Sequence, residues 1–352
     1  MPQTKDWAII VGVQKYPGVS DLNGPENDAK DFRDWVVSPR GGDVPPSNVR
    51  VILTSDYPLF TTLKQARPIT SDVEAAFDDL YELVWPDRMT YNPGRRLYIY
   101  MAGHGIEPQA DHTALLMANA AERRFGYHIL GKAYADWFFR SVSFEEILLF
   151  MDCCRDHYPS THLNNLKWDD TYDHRAVDKV KYLYGFGAVW SKTSRERTVG
   201  VETHGVFTTA LLAGLRGAAS RPDNLITAAS LRDYLNENMK NFLAPEDQKN
   251  PEVPKQPVFT LNPSTGEGFV IASAPAKTYQ VEIGLAADTL GREVEVRNGI
   301  KFEVVGKKVA DTVTWELDLP RGTYLAQILS LGRQKTFTVP SGKEDGRVDF
   351  TL

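Results

Sequence analysis

The sequence predicts an α/β fold: a mostly parallel sheet flanked by helices on both faces over residues 1–272, then a small C-terminal all-β sandwich over 273–352. Three observations lead there. Short, almost wholly apolar runs (Trp7 to Val13, Arg96 to Ala102, Ile147 to Met151) have the length and uniform character of strands covered on both sides. Between them lie segments with apolar residues at helical spacing, and such alternation builds parallel sheets. Beyond Pro275-Ala276-Lys277 the pattern changes to short period-two runs separated by turn residues, as in a sandwich.

In chain order, Trp7 to Val13 is the first buried strand, and Gln14 to Gly24 is a loop. Pro25 to Val37 opens with a proline and acids and repeats Ala29, Phe32, Trp35 and Val36 as a helix does. Val49 to Leu53 is a second strand. Thr70 or Ser71, with Glu74 following, has the form of a helix cap, and that helix runs to about Trp85. Arg96 to Ala102 ends in Gly103-His104-Gly105. A helix over His128 to Arg140 precedes the strand that ends at Asp152-Cys153-Cys154-Arg155. A long polar loop then reaches Lys179, and loops of that length are functional or mobile. Tyr182 to Trp190 is a strand, Gly205 to Leu215 and Ala228 to Phe242 are helices, and Pro257 to Leu261 is the last strand of the main domain. The sandwich shows no catalytic constellation, so its expected role is packing or binding an activating or inhibitory protein partner.

Composition narrows the function. With 352 residues, 42% apolar and 24% charged, the chain is an ordinary globular protein of one large and one small domain. A net charge of −6 without a basic patch argues against nucleic acid as a partner. No signal-like segment and no apolar run of about 20 residues is present, so no membrane association is expected. The two cysteines are neighbours and cannot staple a fold, which points to a reducing compartment, the cytoplasm.

Parallel sheets present their chemistry beyond the carboxyl ends of the strands. Two such ends carry His104 and, 50 residues later, Cys154. Thiol catalysis needs a nucleophile, a histidine and donors for the oxyanion. Gly105 can bring an unshielded N–H close to such an oxyanion. The ordinary alternative is a buried cysteine that packs as a small hydrophobe beside a histidine in a turn.

Five motifs bear on that choice: Gly12-Val13 with Tyr16; Leu22 to Ala29; Met101-Ala102-Gly103-His104-Gly105; Met151-Asp152-Cys153-Cys154-Arg155; and His204-Gly205-Val206-Phe207-Thr208. Over residues 6–262 this set resembles the caspase-like cysteine peptidases (family C14), nearest the bacterial metacaspase-like branch, whose histidine lies about 50 residues before the cysteine. The resemblance implies a caspase-like fold and a cysteine endopeptidase with His104 as general base and acid, Cys154 as nucleophile, and the N–H groups of Gly105 and Cys154 as oxyanion hole. Cys153 is the competing nucleophile, at the family's variable position. Metacaspases follow the cysteine with His-Ser-Gly and caspases with Arg-Gly, whereas this chain has Arg155-Asp156.

Asp152 stands where caspases carry a glutamine that helps an arginine bind aspartate. A carboxylate there repels Asp and pairs with a cation, so cleavage after Arg or Lys is expected of a protein substrate. Asp21 is a second candidate for the pocket wall, with a solvated loop acid as its alternative. The loop after the dyad offers Lys167, Arg175, Lys179 and Lys181 for self-processing. No cofactor is required by this chemistry. Ca²⁺ activation enters only through the resemblance, since no EF-hand spacing and no metal-ligand spacing among the histidines is seen. His204 is expected to position the substrate groove. The implied setting is a bacterial signalling, stress or defence pathway. Two rivals stay open: a non-catalytic caspase-fold scaffold, and a thiol hydrolase or transferase acting on a small molecule.

Overall fold

The computed structural model describes residues 5–86, 94–109, 112–157, 161–169, 177–188, 195–199, 202–262, 269–275, 278–299, 302–339 and 348–351. Six strands form the central sheet: β1 (Asp6–Gly12), β2 (Val49–Leu53), β3 (Gly94–Gly103), β4 (Phe144–Cys153), β5 (Lys181–Phe186) and β6 (Val258–Leu261). Their order is β6-β5-β4-β3-β1-β2. Every neighbouring pair is parallel except β6 against β5, which is antiparallel at the edge.

Strand periodicity of two sorts side chains onto two faces, each covered by helices. On one face Ile9, Val11, Leu97, Ile99, Ile147, Leu149 and Met151 share a core with α2 (Thr70–Val84) and α3 (Gly131–Arg140). On the other, Phe32 of α1 (Pro25–Val37) stacks on Tyr100 and Trp35 meets Tyr98 edge-on, with centroids 4.6 and 5.9 Å apart. Also on that face, the Tyr100 hydroxyl lies 2.6 Å from Thr208 Oγ1 of α4 (Val206–Ala213).

Several boundaries differ from the sequence reading for local reasons. Helix α2 is capped by Asp72, whose carboxylate accepts the Ile69 N–H at 2.7 Å, so neither Thr70 nor Ser71 is the cap. His128 does not start α3, because His128–Ile129 pairs as a short strand with Ala114–Leu116. The helix from Ala228 ends at Asn238 and tightens into a 3₁₀ turn, Met239–Phe242. The far end of the expected strand to Trp190 lies outside the described residues.

The chain divides into two compact units, Met1–Leu212 with Thr227–Ile271, and Ala213–Ile226 with Ala272–Leu352. The excursion 213–226 joins the second unit through bonds to residues 273 and 274. Ser220 Oγ donates to the Ala274 carbonyl at 2.8 Å, and Ser273 Oγ donates to the Asn224 carbonyl at 3.2 Å. The second unit holds a three-stranded and a four-stranded sheet. Tyr279, Val281 and Ile283 alternate inward from one sheet and share a core with Val294, Val296, Tyr324 and Ile328 of the other. No helix among the described residues is long and apolar enough to cross a membrane.

Candidate active site

Register brings the two chemical residues together. Strands β3 and β4 run parallel with Met101 opposite Met151, Ala102 opposite Asp152 and Gly103 opposite Cys153. The next residue of each chain, His104 and Cys154, therefore leaves the sheet at the same level on adjacent strands. The pleat separates the two thiols. Cys153 follows Met151 into the core and is 1% exposed, and burial pushes its thiol well above the usual range. Cys154 is only partly buried and lines a cavity of about 200 Å³, together with His104, Asp28, Asp152, Arg195 and Glu196.

The His104 ring is oriented by the loop after β1. Its Nε2 lies 2.7 Å from the Ser20 carbonyl. A carbonyl can only accept, so Nε2 carries the hydrogen and Nδ1 the lone pair of the neutral ring. Tyr16 supports the same residue twice: its hydroxyl accepts the His104 backbone N–H at 3.0 Å, and its ring meets the imidazole edge-on at 4.8 Å. Gly105 has to be glycine, because a side chain there would run into the Cys154 carbonyl and Cys153. That close approach sets the Gly105 backbone against Cys154.

The glycine missing after Arg155 has a physical explanation. Gly105–Glu107 and Asp156–His157 pair as parallel strands, which need no left-handed residue. Arg155 holds the junction by a buried two-point ion pair with Glu107, at 2.7 and 3.1 Å.

The cavity is acidic, with one change from expectation. Asp152 lines it, and its Oδ2 accepts the Thr208 N–H (3.1 Å) and hydroxyl (2.7 Å). Asp21 is not among its lining residues. That carboxylate pairs instead with Lys15 at 2.9 Å and accepts the Tyr16 N–H at 2.8 Å. The second buried acid is Asp28, on the first turn of α1. The signal was present in the sequence: Asp28 precedes Phe32 and Trp35 by four and seven residues, an acid on the buried stripe. Burial, opposed by the His204 hydrogen bond and reinforced by Asp152, pushes its carboxyl up to about 7. At the rim Glu196 accepts the Gly24 N–H at 2.7 Å, and Arg195 faces Asp247 at 3.9 Å.

Part of the loop after Cys154 is pinned rather than free. Trp168 sits among Tyr81, Tyr134, Trp137 and Phe138 and donates to Asp78 at 2.8 Å. Nε2 of buried His128 accepts the Asn164 N–H at 3.2 Å. Lys167 pairs with Glu74 at 2.7 Å, Lys179 is exposed at the end of a 3₁₀ turn, and Lys181 begins β5. Arg175 lies outside the described residues. Among those described, no group of three His, Cys, Asp or Glu side chains is arranged to hold a metal.

The model of the peptidase C14 caspase domain matches residues 5–258. A curated "Probable protease" of a Desulfuromonadales bacterium is 26% identical over 231 residues, 61% of this chain. The chain spans about a quarter of that relative's length. Among solved structures, caspase-1 from Spodoptera frugiperda is 13% identical with a TM-score of 0.46, covering 74% of this chain and 87% of its own. A Geobacter sulfurreducens protein is 15% identical with a TM-score of 0.43, covering 77% and 97%.

Proposed function

Since the chain belongs to the caspase-domain family of cysteine peptidases, we propose that it is an endopeptidase that cuts protein substrates after Arg or Lys with a His104/Cys154 dyad. The observation that carries this reading is the register of β3 on β4, which delivers both residues to one acidic cavity. In the proposed cycle Cys154 Sγ attacks the scissile carbonyl carbon, and the C=O π pair moves onto oxygen. His104 Nδ1 takes the thiol proton. Collapse breaks the C–N bond, and His104 returns that proton to the leaving amine. Water, deprotonated by Nδ1, then adds to the thioester carbon; the C–S bond breaks, the acid leaves, and the proton on Nδ1 returns to the Cys154 thiolate. The N–H groups of Gly105 and Cys154 are assigned to the oxyanion, in keeping with their close approach.

Basic specificity draws on charge. Asp28, Asp152 and Glu196 stand against Arg195 in the cavity lining, and a guanidinium or ammonium is the complement of that balance. Self-processing belongs to the same reading, with Lys179 the best-suited described site, since Lys167 is ion-paired and Lys181 is within the sheet. The β-rich unit is proposed to bind a regulatory protein partner. The setting, limited proteolysis in a bacterial signalling, stress or defence pathway, rests on family likeness. Ca²⁺ is carried as an assay variable.

The test is a set of peptides differing only at P1 (Arg, Lys, Asp, Leu), assayed with and without Ca²⁺. Cleavage after Arg and Lys that disappears in Cys154→Ala supports the reading. Preference for Asp overturns the pocket and spares the dyad, and full activity in Cys154→Ala overturns the dyad.

A further inference from the structure

His204 takes no part in the dyad, yet it is aimed at the acid that walls the cavity. It lies on Glu202–Gly205, a strand paired antiparallel with Glu196–Val199. Its Nδ1 is 3.0 Å from Asp28 Oδ1 and 3.9 Å from Asp31, and its Nε2 is 3.6 Å from Glu202. The other Asp28 oxygen accepts the Gly205 N–H at 2.8 Å. Gly205 separates Asp28 from Asp152: a methyl there would collide with Asp152 Oδ2 and come within 2.9 Å of Asp28 Oδ2. Two buried carboxylates thus share one cavity, and one of them has an imidazole behind it.

We propose that His204 is a specificity-determining positioning residue: acting through Asp28, it sets how much negative charge the cavity presents to a P1 cation, and so ties affinity for basic substrates to pH. This rests on the reading of the cavity as a pocket for Arg or Lys.

Two carboxylates in one poorly solvated space resist ionising together. A protonated His204 donating to Asp28 relieves that resistance, and the hydrogen bond to Asp28 raises the imidazole in turn, against its burial. Among the described residues, further charged groups surround the pair. Asp31 and Glu202 also face His204, and both favour its cation. Arg197, its cross-strand neighbour, donates instead to the Phe242 carbonyl at 3.0 Å. The Tyr100 and Thr208 hydroxyls bond each other near Asp152, while Arg195, Glu196, His104 and Cys154 lie around the cavity. Without the imidazolium, Asp28 ionises only at higher pH, so a P1 cation meets a weaker partner at neutral and mildly acid pH.

The experiment measures kcat and KM separately on the full chain, with Arg and Leu at P1, from about pH 5 to pH 9. His204→Asn keeps an amide donor near the Nδ1 position and removes the titratable charge. The expected result is an acid-side rise in KM for the Arg peptide that moves up by about one pH unit, roughly tenfold on that limb, with the change in KM rather than kcat. Asp28→Asn should flatten the limb, and adding His204→Asn to it should shift nothing further. Superimposable KM profiles for wild type and His204→Asn overturn the inference. Should His204→Asn fail to fold, retention of the limb in Asp28→Asn overturns it instead. Wild type that does not favour Arg over Leu overturns the underlying pocket reading, an outcome distinct from an Arg preference with unmoved profiles.

Discussion

Replacing Tyr16 by Phe deletes one oxygen from a fully buried ring and leaves the edge-on contact with His104 in place. That oxygen accepts the His104 N–H at 3.0 Å and donates to the Leu116 carbonyl at 3.3 Å. Each bond contributes about 0.5–1.5 kcal/mol net, so the expected loss of stability is roughly 1–3 kcal/mol. Catalysis should suffer separately. The imidazole keeps its Ser20 anchor but loses a restraint on its own backbone, and a small displacement at a reacting group costs about tenfold in kcat. Removing the imidazole in His104→Ala should cost more, roughly 10²- to 10⁴-fold. Denaturant midpoints, together with kcat on an Arg peptide, read the two effects. A Tyr16→Phe protein that unfolds at the wild-type midpoint and turns over at the wild-type rate would refute the positioning role.

Other expectations follow from the same geometry. Cys154→Ala should abolish turnover, whereas Cys153→Ala should keep the chemistry and lose stability; kinetics and denaturation of the two variants check this. His128 is buried neutral, donating from Nδ1 to the Phe125 carbonyl at 2.6 Å and accepting at Nε2, and burial lowers its pKa from 6.5. The unfolded chain therefore takes up the proton first as pH falls below 6.5, and stability drops in that window. Proteolysis and Trp168 fluorescence should then report loosening of residues 161–169, and His128→Gln should blunt the response. If self-processing occurs, Lys179→Ala should suppress it more than Lys167→Ala, as intact-mass measurements would show.

Much of the fold was legible because apolar runs of strand length are hard to satisfy in any other way. The Ile147 to Met151 run is the clearest case: all five residues are completely buried. The nearness of His104 to Cys154 was legible for a related reason, since both residues follow such runs. What escaped was set by partners distant in sequence. Asp28 looked like an acid favouring a helix start, and only the fold brings it against His204, 176 residues away. The Ser20 carbonyl that orients His104 has no sequence signature, because every residue carries one. Trp168 read as part of a polar loop, yet its indole finds an aromatic socket built from α2 and α3.

Strand β5 lies beside β4 through six in-register pairs, from Glu146–Lys181 to Met151–Phe186, although a long connection separates the two along the chain. A break in that connection would therefore not divide the molecule. The fragment ending after Cys154 and the fragment beginning with β5 would remain neighbours in one sheet, held by the same ladder and the same two-faced core. Such a nicked protein would run as two bands under denaturing conditions and elute as one particle under native ones. The tether would be dispensable while the sheet stays intact.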